Sequence, residues 1–407
     1  MSLFSLSFLD DSSTEVEFDP SSDAADTELA SDAMETVEAV SEVASGADGV
    51  DEVVEASETF ESLISFGKIA AKGQPVNMGG LYMAESHLAR LPEALYKDSL
   101  QKLDQPDFES AVSDESAMRQ RALQYCSESF LSDAKAVIKR GIAWLVAQFE
   151  KAIVIIKKLF TSAAKIKKSL EDIKSELSKD ADYLASSEKE ISVNAGWLND
   201  GKKVNPLKAV GEAKSVYTTY AGKVKQLTGG LKGKFSEIKA KESDYANIIR
   251  GIETQRSATF GTSAVISGHK LGIVNGRVVV GGAPSIEKKV IPALSKSELV
   301  AFIGEAIGLA SELEKHKDHI KEAETAKNDE IKLINDAAKE LDKASSEEGD
   351  SEKTAELRRK ITALTKVSCQ KDLASLNAVS GAAFGVLFAA HNLAKSNQAA
   401  LAKKKSS

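Results

Sequence analysis

Between Ile138 and Leu177 the apolar residues Ile138, Ile142, Leu145, Phe149, Ala152, Ile156, Leu159, Ala163, Ile166, Leu170, Ile173 and Leu177 recur at alternating steps of four and three. Only a helix brings that spacing onto one face, and the repeat runs for more than five heptads. No Pro interrupts it, and Gly141 is a small helix penalty. The spacing predicts one helix from about Ser132 to about Leu184. A helix with so long an apolar stripe has to bury it against other helices. Composition agrees. The 407 residues are rich in Ala, Lys, Glu, Leu and Ser, with 7 Pro and 6% aromatic residues. The fold class expected is mainly α: an elongated bundle of long antiparallel helices with one small Gly/Val-rich β-hairpin and a disordered acidic N-terminus.

The remaining segments divide around that helix. Residues 1–58 are acidic and weakly periodic, and read as a disordered leader that buries too little apolar surface to offset its ordering entropy. Residues 59–130 read as short helices, with "NMGG" as a loop and "RLPEAL" as a helix start. Residues 131–257 form the first part of the bundle. "NAGWLNDGKKVNP" breaks the chain, and a second helix is expected from about Pro206 to Gly251, weakened at "TGGLKGK". Residues 258–292 change character, and "KLGIVNGRVVV" places Asn275-Gly276 between two β-type runs, the favoured pair for a tight hairpin turn. Residues 293–407 return to helix, with a start at "ALSKSEL" and a loop at "ASSEEGDSEK".

Charge is distributed unevenly. The first Lys or Arg is Lys68, and residues 1–58 hold 17 of the 61 Asp and Glu. The leader is therefore −17, and the body, with 53 bases against the remaining 44 acids, is +9. Within the body, Lys135, Lys139, Arg140, Lys151, Lys157, Lys158, Lys165, Lys167 and Lys168 share a stretch whose only acid is Glu150. That face reads as a solvated bundle surface, with DNA phosphates or an anionic membrane as the functional contacts.

Catalytic motifs are not found. "GGLKGKFS" fails as a phosphate loop, because Thr228 stands where the first Gly is needed and Phe235 follows Lys234. His316 and His319 share a helical face near Glu312 but are flanked by lysines, and no metal or cofactor is expected. Cys126 and Cys369 cannot form a disulfide framework and read as packing residues. Met1–Asp11 lacks a charged start and an adequate apolar run, so no signal peptide is expected. Leu373–Ala394 is uncharged over 22 residues and contains Gly381 and Gly385 four apart. It is long enough to span a bilayer, but its Ser, Asn and His suit a buried bundle helix better.

The run "AKAVIKRGIAWLVAQFEKAIVIIKKLFTSAAKIKKSLEDIKSEL", the acidic leader and the leader–body junction together resemble the internal head proteins of giant phiKZ-like bacteriophages. The resemblance implies a non-enzymatic protein of the capsid interior, packed with phage genomic DNA without sequence preference, beside other internal head proteins. It also implies a cut by the phage prohead protease after Glu in a small–any–Glu motif. Ala56-Ser57-Glu58 fits at the charge boundary, and Ser13-Thr14-Glu15 and Ala33-Met34-Glu35 fit further upstream. On this reading Lys135, Lys139, Arg140, Lys157, Lys158, Lys165, Lys167 and Lys168 are the DNA-phosphate candidates. The chain would occupy the host cytoplasm during assembly and the virion afterwards, with ejection alongside the DNA as a further expectation. Two other classes remain open from the residues: a membrane-active or pore-forming helical protein, and a coiled-coil scaffold.

Overall fold

The computed structural model describes residues 49–90, 115–179, 183–184, 189–194, 196–199, 203–240, 245–260, 264–274, 277–281, 288–315, 317–348 and 352–402. Residues 49–71 are helical (α1). They are followed by α2 (Met78–Leu88), α3 (Glu115–Gln124) and α4 (Glu128–Ser178). Next come β1 (Glu190–Asn194), α5 (Pro206–Ala240), α6 (Tyr245–Phe260), β2 (Ala264–Ile266), β3 (His269–Val274), β4 (Arg277–Gly281) and β5 (Lys288–Pro292). The chain then forms α7 (Lys296–Lys315), α8 (Lys317–Glu348), α9 (Glu352–Lys366) and α10 (Gln370–Leu401). The fold is mainly α with long helices and small antiparallel sheets, as the periodicity predicts.

The spine is α4, 51 residues long. Ser127 caps it, its hydroxyl accepting from the Phe130 N–H at 3.3 Å, and Glu128 follows in the first turn, where the helix dipole favours an acid. Every residue of the heptad stripe from Ile138 to Leu177 is buried. All of them but Ala152 pack with α5, α7, α8 and α10 into one core. The N-terminal turns of α4 serve a second cluster: Phe130, Ala134 and Val137 pack with Phe60, Leu63 and Ile64 of α1, Leu81 of α2, and Met118 and Ala122 of α3. A buried Glu85 ties α2 to α3, accepting from Arg121 at 2.7 Å and from the Tyr125 hydroxyl at 2.6 Å. Burial, followed by that carboxylate, pushes the Tyr125 phenol up.

Several expectations are corrected. Met78 to Gly80, read as loop, begin α2, because the Asn77 side chain accepts from the Gly80 N–H at 3.0 Å and caps it. The helix from Pro206 continues through Gly229, Gly230 and Gly233 without a break and ends at Ala240. Nothing crowds those glycines. Residues 91–95, read as a helix start, lie outside the described residues, as do 1–48. The "ALSKSEL" start holds as a reciprocal cap: Ser295 Oγ accepts from the Glu298 N–H at 3.3 Å, and Glu298 accepts from the Ser295 N–H at 2.9 Å. Those hydrogen bonds from Ser295 hold the Glu298 carboxyl below its usual range.

The hairpin is present and larger than expected. β3 and β4 pair antiparallel with Val274 opposite Arg277, which leaves residues 275 and 276 between them. β2 adds a third strand on β3. Between β2 and β3, Ser267 and Gly268 both take positive φ, at 49° and 81°. A separate two-stranded ribbon pairs β1 with β5, Ile191 opposite Ile291.

The uncharged stretch lies in α10, whose most apolar window is 89% buried, so the segment with the length and apolarity of a membrane span is the central helix of the bundle. Several polar residues of α10 bond to neighbouring elements. Ser375 Oγ accepts from the Val278 N–H at 2.9 Å, Asn397 Oδ1 accepts from the Leu294 N–H at 2.6 Å, and His391 Nε2 lies 2.9 Å from Ser169 Oγ. Gly385 leaves room for the Trp197 indole, which a Cβ would meet at 2.9 Å. Trp197 in turn stacks on His269 at 4.3 Å between ring centroids.

Candidate nucleic-acid interface and leader junction

The lysine-rich run lies along α4, flanking its buried stripe, and acids of the neighbouring helices meet it. Lys135 and Lys139 reach one carboxylate, Asp342 of α8, at 2.7 and 2.9 Å. Burial pushes Asp342 up, but the two lysines outweigh it and hold the carboxyl below its usual range. Lys157 reaches Glu324 of α8 at 2.6 Å. Lys167 reaches Glu314 of α7 at 2.8 Å, and the hydrogen bond it donates to Glu314 pushes its ammonium up. Arg140, Lys158 and Lys165 are also engaged within the chain. Lys168 is exposed. On the other flank, α5 repeats the pattern: Lys214 lies 3.7 Å from Glu305 of α7, and Lys225 lies 3.6 Å from Glu322 of α8.

The basic run is therefore one side of an ionic seam, which the one-dimensional count of charges did not disclose. The acids come from residues 305–342, far along the chain. Lys157 is 55% exposed and Glu324 34%. Pairs as wet as this contribute about 0–1 kcal/mol each and are screened by salt. A denser array of phosphates can compete for such lysines. The seam thus orders the face while its charges remain partly exposed.

The junction is the second predicted site, and its setting differs from the expectation. Ala56-Ser57-Glu58 lies within α1, with Ala56 and Ser57 buried and Glu58 exposed. Residues 49–58 thus belong to the packed body, not to extended chain. Val53 seats against Gly141 of α4, where an added Cβ would lie 2.6 Å from the Val53 Cγ1. Gly49 meets the Trp144 ring just as closely. Acids of the same helix pair with the far end of the chain. Asp51 lies 2.7 Å from Lys371, Glu61 pairs with Arg358, and Glu58 lies 3.9 Å from Lys366. The counted acids concealed the apolar spacing of Val50, Val53, Val54, Phe60, Leu63 and Ile64, which carries the helix. The motifs ending at Glu15 and Glu35 lie outside the described residues.

A buried polar knot escaped the sequence reading altogether. Arg256 of α6 donates to both carboxylate oxygens of Asp372, at 2.9 and 2.7 Å, and to the Ser368 carbonyl at 2.9 Å. Glu330 of α8, fully buried beside them, accepts from the Cys369 N–H at 2.8 Å. Burial pushes Glu330 above its usual range against the pull of the Cys369 N–H and Arg256, and burial pushes the Cys369 thiol well up, which leaves it unreactive. The knot joins α6, α8 and the start of α10, and every side chain in it is buried. Of the histidine pair near Glu312, His316 lies outside the described residues, and Glu312 accepts from Lys315 at 2.6 Å. Among the described residues no cluster of His, Cys, Asp or Glu could hold a metal ion.

Buried stripes, wet ionic seams and a structural knot define a helical packing protein with charged faces. The family model of phiKZ-like phage internal head proteins matches residues 13–383. The chain belongs to that family, whose members are structural components of the interior of the phage head. Membership also implies association with other head components. No curated protein and no solved structure matches the chain.

Proposed function

We propose that this chain is a non-enzymatic filler of the capsid interior that lies against genomic DNA through the lysine-bearing flank of α4. The residues assigned to phosphate contact are Lys135, Lys139, Arg140, Lys157, Lys158, Lys165, Lys167 and Lys168. The observation that carries this reading is the exposed seam on a 51-residue helix, whose lysines are held in order by weak carboxylate pairs. Exchange of carboxylate for phosphate releases counterions from the DNA, so binding is favoured without reading sequence. Fluorescence anisotropy with a labelled duplex tests it. Binding should be weak, indifferent to sequence and lost steeply as salt rises, and Lys157→Gln with Lys168→Gln should weaken it. Binding insensitive to salt would overturn the reading.

The acidic leader is, on the same reading, removed by the phage prohead protease in stages. The motifs at Glu15 and Glu35 precede the packed helix. Ala56-Ser57-Glu58 is cut only when α1 leaves its seat, because a protease needs extended chain. A cut after Glu35 leaves 51 acids against 53 bases, and a cut after Glu58 leaves 44 against 53. The body thus becomes progressively more cationic. Ejection with the DNA is part of the same proposal.

A further inference from the structure

We propose that the basic surface of Arg358, Lys366 and Lys371, at α9 and the first turn of α10, is a second phosphate-binding site, covered in cis by the acidic face of α1. This rests on the DNA-contact reading above and adds where the leader exerts its control.

The two sets of basic residues have different partners. On α4, Lys135, Lys139, Lys157 and Lys167 pair with Asp342, Glu324 and Glu314, which lie in the body and stay with it whatever happens to the leader. Those of α9 and α10 pair with Asp51, Glu58 and Glu61, all in α1. Removing acidic residues through Glu58 therefore liberates no lysine of the α4 seam through those pairs, but it takes away the partners of Lys371 and Lys366. A charge mask in the leader has its direct contacts here.

The contact is also built for charge. Asp51, Glu58 and Glu61 follow at spacings of seven and three, which places them on one side of α1. The Lys371 and Arg358 side chains are 8% and 6% exposed beneath them. The Lys371 ammonium, once Asp51 is gone, would attract anions strongly. Asp51 is imperfectly satisfied in return: its Oδ1 meets Lys371, while its Oδ2 is buried and makes no hydrogen bond among the described residues. An acid with one idle oxygen holds its place less firmly than one that is fully bonded. The cover is thus electrostatically complementary, and the phosphate backbone of a duplex offers the same charge at higher density.

The test uses the full chain, a 20-base-pair labelled duplex and low salt. Asp51→Asn, Glu58→Gln and Glu61→Gln are combined with Gly141→Val, which wedges Val53 from its seat. Circular dichroism melting confirms that the bundle remains folded; should the wedge unfold it, the three neutral substitutions are used alone. The uncovered variant should bind at least about tenfold more tightly than the natural chain. Its logarithmic salt slope should steepen by about 0.9 for each added phosphate contact. Adding Lys366→Gln and Lys371→Gln should remove most of the gain, whereas Lys208→Gln and Lys223→Gln of α5 and Lys296→Gln of α7 in the same background should leave most of it. A folded variant with no gain overturns the inference, and so does a gain that survives loss of Lys366 and Lys371. If the natural chain binds through α4 and the cover variants change nothing, only the second site falls. If neither the natural chain nor any variant binds duplex, the DNA-contact reading itself falls with it.

Discussion

At the scale of single residues, the positions that matter most are those whose partners lie far along the chain. Gly141 reads in sequence as a mild defect in a long helix, yet it is the seat of Val53. Gly385 reads as half of a helix-approach motif, and what lies nearest it is the Trp197 ring. Gly385→Ala should therefore cost about 1–3 kcal/mol in urea unfolding, because the rigid indole cannot yield as a flexible tail would. Arg256 carried no signal at all, since nothing local marks an arginine that will be buried. Arg256→Met should lose about 3–5 kcal/mol by stranding Asp372, and the double variant with Asp372→Leu should recover much of that. Glu330 adds a pH dependence. Its folded carboxyl titrates above the ordinary value near 4.5, so its contribution is favourable below that value and is lost as pH rises through the folded value. Relative to Glu330→Gln, the natural chain should become less stable as pH climbs from about 4.5, measured by denaturation across the range. The opposite slope would mean that the charged form is the better bonded one.

Elements were legible in proportion to how local their cause is. The heptad stripe was fully readable because each apolar position repeats within one helix, and all of it is buried. Phe149, with no exposed surface, tests the stripe directly: Phe149→Ala should cost about 3–5 kcal/mol. A melting curve unchanged from the natural chain would deny that the stripe is a packed seam. The β3–β4 turn was readable from Asn275-Gly276, since the pairing it directs begins next to it. β1 and β5 were not, because "EISVN" and "KKVIP" find their register only after α5, α6 and the three-stranded sheet have intervened. α1 failed for another reason. Its acid count argued for a leader, while its helical apolar spacing was the stronger cause, given a groove on α4 in which to lie. The candidate site shared that fate: the lysines were visible in the sequence and their carboxylates were not.

At the scale of the whole molecule, charge is arranged in layers. Acids of α7 and α8 lie between the lysines of α4 and α5, and acids of α1 lie over the bases of α9 and α10. On the staged-removal proposal, loss of the leader would act on the outer layer only. Staged processing predicts an order: in a time course with the protease, products beginning at Thr36 should precede any beginning at Thr59, and Gly141→Val should hasten the second cut. Simultaneous appearance of both would show that α1 gives no protection. The length of α4 has a consequence of its own. At 1.5 Å per residue its 51 residues extend about 76 Å, roughly two turns of a duplex. Duplex DNA is stiff over about 50 nm, so a crowded capsid interior holds nearly straight cylinders at short range. A strut of this length set crosswise among such cylinders excludes more volume than one set parallel. Packing alone, before any lysine meets a phosphate, would turn the long axis of the bundle along the local direction of the DNA, as rods align in a nematic phase.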